Sequence, residues 1–198
     1  MTKRSRIVAL GDSVTRGYDG CSDIEKNYPN YLSQILKTPV DNLGINGGTI
    51  YDDLVTEVNQ VKWEKYDQCI LMMGTNDYGH NHHSLHDVIE QLQNNLNSIL
   101  AKNNQLKIWA ILPLNRYDNH QNAADKIRFA DYTFNQLLNG LKKCYQDNNI
   151  SVLDWRNYNP NFINNNNYQT QYNDHHVHPT AATYQQLAHE IANFIKKQ

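Results

Sequence analysis

Arg6-Ile7-Val8-Ala9-Leu10-Gly11-Asp12-Ser13-Val14-Thr15-Arg16-Gly17 is the stretch that decides the fold. Ile7 to Leu10 is apolar without alternation, as in a short parallel strand covered on both faces. Gly11 then permits a turn that a side chain would hinder. Ser13 follows, where the strand gives way to a helical segment. Open α/β sheets place their chemistry at the carboxyl ends of strands, and a helix start offers free N–H groups to a developing oxyanion. Two readings stand here: Ser13 as a reactive hydroxyl, or Asp12 and Ser13 as turn and capping residues only.

Outward from this stretch, the pattern repeats. Val40 to Leu43, Gln68 to Met73, Leu106 to Leu112 and Ile150 to Leu153 read as four further strands. Helical spacing places Tyr31, Leu32, Ile35 and Leu36 on one face after Pro29. It also predicts helices over Asp52 to Trp63, with Leu54, Val55, Val58 and Val61 buried, and over Ser84 to Lys102. A long helix after Asn122 would carry Ile127, Phe129, Phe134, Leu137, Leu138 and Leu141, and a last one starts near Thr180. Strand and helix alternate five times, which implies a five-stranded parallel sheet with helices on both faces. No repeat, linker or composition shift divides residues 1–198, so a single domain is expected.

The 198 residues carry a formal charge of −2, without the basic excess that draws a protein to nucleic acid or an anionic membrane. Three cysteines, Cys21, Cys69 and Cys144, are widely spaced and give neither a disulfide framework nor a zinc pattern. The basic start, Lys3-Arg4-Ser5-Arg6, precedes only four apolar residues, too few for a secretory signal. No apolar run approaches membrane-spanning length, and the expected location is the cytoplasm. Oligomeric state is not indicated.

The first three strands end in Gly11-Asp12-Ser13, in Gly44-Ile45-Asn46-Gly47-Gly48 and in Gly74-Thr75-Asn76-Asp77. In a doubly wound sheet these ends are neighbours. The last loop, Asp174-His175-His176-Val177-His178-Pro179, can return to the same edge. A hydroxyl, backbone donors, an amide, a carboxylate and an imidazole would then meet. Acyl transfer needs those parts: a base for the serine, a histidine titrating near neutrality, and donors around the oxyanion. No Gly-x-Ser-x-Gly elbow, phosphate loop or Gly-x-Gly-x-x-Gly turn occurs.

Gly11-Asp12-Ser13-Val14-Thr15-x-Gly17, Asn42-Leu43-Gly44-Ile45-Asn46-Gly47, Gly74-Thr75-Asn76-Asp77 and His178-Pro179 resemble, in order, the four blocks of the SGNH hydrolases, also called GDSL lipase/acylhydrolases. The resemblance spans nearly the whole chain. It implies a flavodoxin-like three-layer α/β/α sandwich, Ser13 as nucleophile and His178 as base. It also implies an oxyanion hole from Ser13, Gly47 and Asn76, and no metal or organic cofactor. One position departs: the family's aspartate stands three residues before the histidine, where this chain has His175, with Asp174 one residue further away. Asp174 could still reach His178 through a bulged loop. His175 or a backbone carbonyl could orient His178 instead, or the enzyme could work poorly. Loss of an orienting carboxylate can cost ~10⁴ in rate.

Asp12 and Asp77 read as loop-bracing hydrogen-bonders. His80, His82, His83 and His86 cluster in a polar loop, a poor frame for a metal that needs about three fixed ligands. That loop could line a substrate entrance. Trp155, Tyr158, Tyr168 and Tyr172 could form an aromatic wall for a sugar or acyl chain, or pin their loop to the body. Arg16 reads as a solvated arginine. The expected function is hydrolysis of a small-molecule ester, with removal of a short acyl group through an acyl-enzyme on Ser13. Acylated sugars suit it better than lipids, because no long apolar lid is visible. The rivals are a weak or inactive ligand-binding domain of the same fold and, from fold alone, a nucleotide binder.

Overall fold

The computed structural model describes residues 5–198; Lys3 and Arg4 of the basic start lie outside them. Strand β1 (Ile7–Gly11) leads into the one-turn helix α1 (Ser13–Arg16), followed by α2 (Tyr28–Leu36) and β2 (Val40–Asn42). Next come α3 (Leu54–Gln60), β3 (Gln68–Met72), α4 (Thr75–His80), α5 (Leu85–Lys102) and β4 (Lys107–Ile111). The small hairpin β5 (Tyr117–Asp118) and β6 (Gln121–Asn122) precedes α6 (Phe134–Asp147) and β7 (Ser151–Leu153). Short helices α7 (Trp155–Tyr158) and α8 (Tyr168–Gln171) and the long α9 (Ala181–Lys196) complete the described chain.

The main sheet is parallel throughout, in the order β2-β1-β3-β4-β7. That is the doubly wound order of flavodoxin-like folds, and the chain is a three-layer α/β/α sandwich. Period-two alternation sends neighbouring strand residues to opposite faces. Val8, Leu10, Cys69, Leu71, Ile108 and Ala110 pack with α3, α5 and α6. Ile7, Ala9, Ile70, Met72, Trp109 and Ile111 pack with α2 and α9. Continuous apolar runs were needed in these strands because both faces are covered.

Two expectations need correction. The helix after Asn122 begins only at Phe134, where Thr133 and Gln136 form a reciprocal capping box. Ile127 and Phe129 therefore lie outside it, 64% and 48% exposed. In α3, Val55 faces solvent, and the buried position goes to Glu57, three residues after Leu54 and one before Val58. Of the two readings for the aromatics of 155–177, pinning describes three: Trp155, Tyr168 and Tyr172 are buried, and Trp155 donates its indole N–H to the Leu112 carbonyl at 2.9 Å. Among the described residues no helix is long and apolar enough to cross a membrane.

Candidate active site

The crossover from β1 to β2 goes one way along the sheet and the later crossover to β3 the other. The ends of β1 and β3 therefore flank the switch point where open sheets bind ligands. Gly11 turns the chain there at φ 156°; a Cβ on it would stand 2.2 Å from the Met72 carbonyl oxygen. Asp12 caps α1 by accepting the Val14 N–H at 2.9 Å. This leaves Ser13 as the first helical residue, 5% exposed.

Ser13 Oγ lies 2.9 Å from His178 Nε2, across 165 residues of sequence. His178 Nδ1 lies 2.6 Å from Asp174 Oδ2. An ionised carboxylate only accepts, so Nδ1 carries the hydrogen and Nε2 presents its lone pair to the serine hydroxyl. The other Asp174 oxygen accepts the backbone N–H groups of His176, Val177 and His178 at 2.9, 3.1 and 3.1 Å. Burial opposes the Asp174 charge, but the His178 ring and these backbone donors outweigh it and hold the carboxyl at about 2. The extra residue between acid and base is absorbed by His175, which takes the left-handed conformation at φ 56°. Its ring stands 6.2 Å from that of His120. Tyr18, which gave no signal in the sequence, sets its ring edge-on to His178 at 4.9 Å, with its carbonyl bonded to Tyr184 Oη at 2.7 Å.

Asn76 in α4 is 5% exposed and donates one amide hydrogen to the Gly48 carbonyl at 3.0 Å. The loops after β2 and β3 are thus joined beside Gly47, which adopts φ 75°, a conformation glycine takes at little cost. Asp77 is fully buried and accepts the N–H groups of Ile50 and Tyr51 at 2.9 and 3.1 Å. Asp12 and Asp77 therefore do brace loops, and burial raises them to about 6 and about 7. Glu57 bears on the same turn: Oε1 accepts the Gly11 N–H at 3.2 Å, Oε2 has no partner, and burial pushes the carboxyl to about 9. The sequence reading passed over it; its spacing from Leu54 and Val58 is the one signal that could have found it.

A small hollow of about 10 Å³ is lined by Asp12, Val14, Thr75 and Val177, neighbours in sequence of Ser13, Asn76 and His178, and by Met72, Pro113 and Leu114. A polar groove of about 270 Å³ runs past Asp174, lined among others by Asp118, His120, Arg128 and His175. His82 bonds the Phe129 carbonyl at 3.1 Å, and His83 stacks on Tyr51 at 3.5 Å. Among the described residues no group of three or more His, Cys, Asp or Glu is arranged to hold a metal. Arg16 bonds Asp23 at 2.8 Å and stays half exposed.

A serine at the switch point, an imidazole on its hydroxyl and an acid behind the imidazole are the parts of a hydrolase of ester bonds. Residues 9–186 match the GDSL-like Lipase/Acylhydrolase family, and the chain belongs to it. No curated protein matches the chain. Among solved structures it is similar to a lipase/acylhydrolase from Enterococcus faecalis, at 20% identity over 97% of this chain and 96% of that one, with a TM-score of 0.73. It is also similar to Axe2, an acetylxylan esterase from Geobacillus stearothermophilus, at 21% identity over 98% and 96% of the two chains, TM-score 0.67. A third similar structure is the acetyl xylan esterase AlAXEase, at 20% identity over 95% and 98%, TM-score 0.70. These likenesses speak for the fold.

Proposed function

We propose that the chain hydrolyses esters of short acyl groups through an acyl-enzyme on Ser13. His178 Nε2 takes the Ser13 proton as Oγ attacks the carbonyl carbon. Asp174 fixes the tautomer and steadies the imidazolium. The oxyanion is met by the Ser13 N–H, the Gly47 N–H and the second amide hydrogen of Asn76. The C–O bond to the alcohol breaks, and His178 returns the proton to the leaving oxygen. Water, deprotonated by His178, then releases the acid and restores Ser13.

The observation that carries this reading is the unbroken hydrogen-bond chain Ser13–His178–Asp174, at 2.9 and 2.6 Å. The polar groove past Asp174 suits a hydroxyl-rich alcohol, so acylated sugars are the substrate class of choice. Ser13→Ala should lower kcat for an aryl acetate by roughly 10⁴-fold or more, and wild-type protein should give a burst of aryl alcohol. A Ser13→Ala variant with full activity overturns the assignment. Wild-type kcat/KM that rises from acetyl to octanoyl esters overturns the short-acyl preference.

A further inference from the structure

The acid–base pair sits on a loop that Asp174 ties together from within, and the loop as a whole is fixed to the rest of the fold by contacts outside it. One such outside contact is a charge cluster built on the buried Arg116, separate from the Ser13–His178–Asp174 chain. Arg116, just before the β5–β6 hairpin, has a fully buried side chain. Its Nε donates to both Asp118 oxygens, at 2.9 and 3.1 Å. Its Nη1 donates to the Thr75 carbonyl at 3.2 Å, directly before Asn76. Space for this guanidinium is made by Gly79 in α4, where a Cβ would stand 2.6 Å from Nη1. Asp118 also accepts from Arg128 and, at 2.7 Å, from His176 Nε2. His176 is the middle residue of the Asp174–His178 loop: its N–H goes to Asp174, and its carbonyl accepts the Tyr117 N–H at 3.1 Å.

We infer that Arg116, Asp118 and His176 form a positioning brace that fixes the His178–Asp174 pair relative to Asn76. The brace ties the loop that carries the acid and base to the helix that carries the amide donor. His176 lines the polar groove beside Asp118 but makes no contact with Ser13; on the acid–base pair it acts through the Asp174 loop. His175 takes the left-handed conformation, and the side chain next to it, His176, is anchored on Asp118 outside the loop. Displacing a base by about 1 Å can cost roughly 10²-fold in rate without changing what binds.

The inference rests on the hydrolase reading, and its test separates the two. His176→Leu removes the donor at a side chain one-third exposed; His176→Gln keeps a donor at the same reach. With an aryl acetate, which has no sugar to seat in the polar groove, His176→Leu should lower kcat roughly 10–100-fold with KM within about twofold. It should also weaken the far-downfield NMR signal of the His178 Nδ1 proton, and His176→Gln should restore both. If His176→Leu does not fold, His176→Ala carries the same expectation. Wild-type kcat and an unchanged proton signal in the truncated variant overturn the brace, as does a glutamine variant no better than leucine. The proton signal needs no turnover, so an inactive wild type overturns the hydrolase reading while the brace is still read from the spectrum.

Discussion

Asp174 shows how a single side chain sets the chemistry of a neighbour. One oxygen gathers three backbone N–H groups, which leaves the other aimed at His178 Nδ1 at 2.6 Å. Asp174→Asn would preserve the shape but can turn its amide hydrogens toward the ring, favouring the wrong tautomer. The expected loss is roughly 10³–10⁴ in kcat with an aryl acetate, together with a lower thermal midpoint at pH 7, because the charge-assisted bonds to the three backbone N–H groups and to His178 are weakened. A variant within tenfold of wild type would mean that another group orients His178. At this scale Ser13 and His178 were legible because turn glycines and a His-Pro pair frame them in the sequence, whereas Asp174 stood as one of several groups that could orient His178. Glu57 was not legible, since a carboxylate on a buried face contradicts hydropathy. Tyr18 was not, since nothing in an isolated tyrosine says which ring it will touch.

Between strands and helices, legibility followed hydrophobic periodicity. The five main strands and the helices with a continuous apolar face came through at nearly their full length. Segment 123–133 did not: Ile127 and Phe129 fall at spacings that fit the helix beyond them, yet both are exposed. The Thr133–Gln136 box was the available stop sign. The catalytic loop posed the opposite problem, a spacing that looked wrong and folds well. Its extra residue is accommodated because His175 accepts φ 56°, a conformation that costs a non-glycine residue roughly 1 kcal/mol. His175→Gly should therefore keep kcat within about twofold, and stability should be unchanged or up to about 1 kcal/mol higher, since the relief is partly offset by unfolded-chain entropy. Urea unfolding and aryl acetate kinetics on the same preparation check both. A tenfold loss of kcat would mean that the His175 imidazole itself serves His178.

At the scale of the whole molecule, a sheet that gathers strand ends also gathers carboxyls under them. Asp12, Glu57 and Asp77 are all buried within the same corner, and burial raises them to about 6, about 9 and about 7. A group whose folded pKa lies above its unfolded value stabilises the fold fully below the unfolded value, about 4 for these acids. That stability is lost as pH rises through the folded pKa. Asp174 and Asp118 run the other way. Each is held at about 2 by partners that outweigh burial, so their contribution is present above about pH 4 and lost as pH falls towards 2. Together these shifts predict a stability maximum near pH 4–5, a steep acid limb, and a gradual decline to pH 9. Glu57 governs the far end of that decline. Glu57→Gln keeps an acceptor for the Gly11 N–H but cannot ionise, so its stability relative to wild type should climb with pH. Linkage allows up to about 1.4 kcal/mol per pH unit; after a discount for relaxation around the charge, a gain of about 2–4 kcal/mol between pH 5 and pH 8 is expected. Urea unfolding at pH 5, 6.5 and 8 measures it. A wild-type-to-variant difference that stays constant across those three values would show that Glu57 is not protonated in the folded chain and that its free oxygen finds a partner.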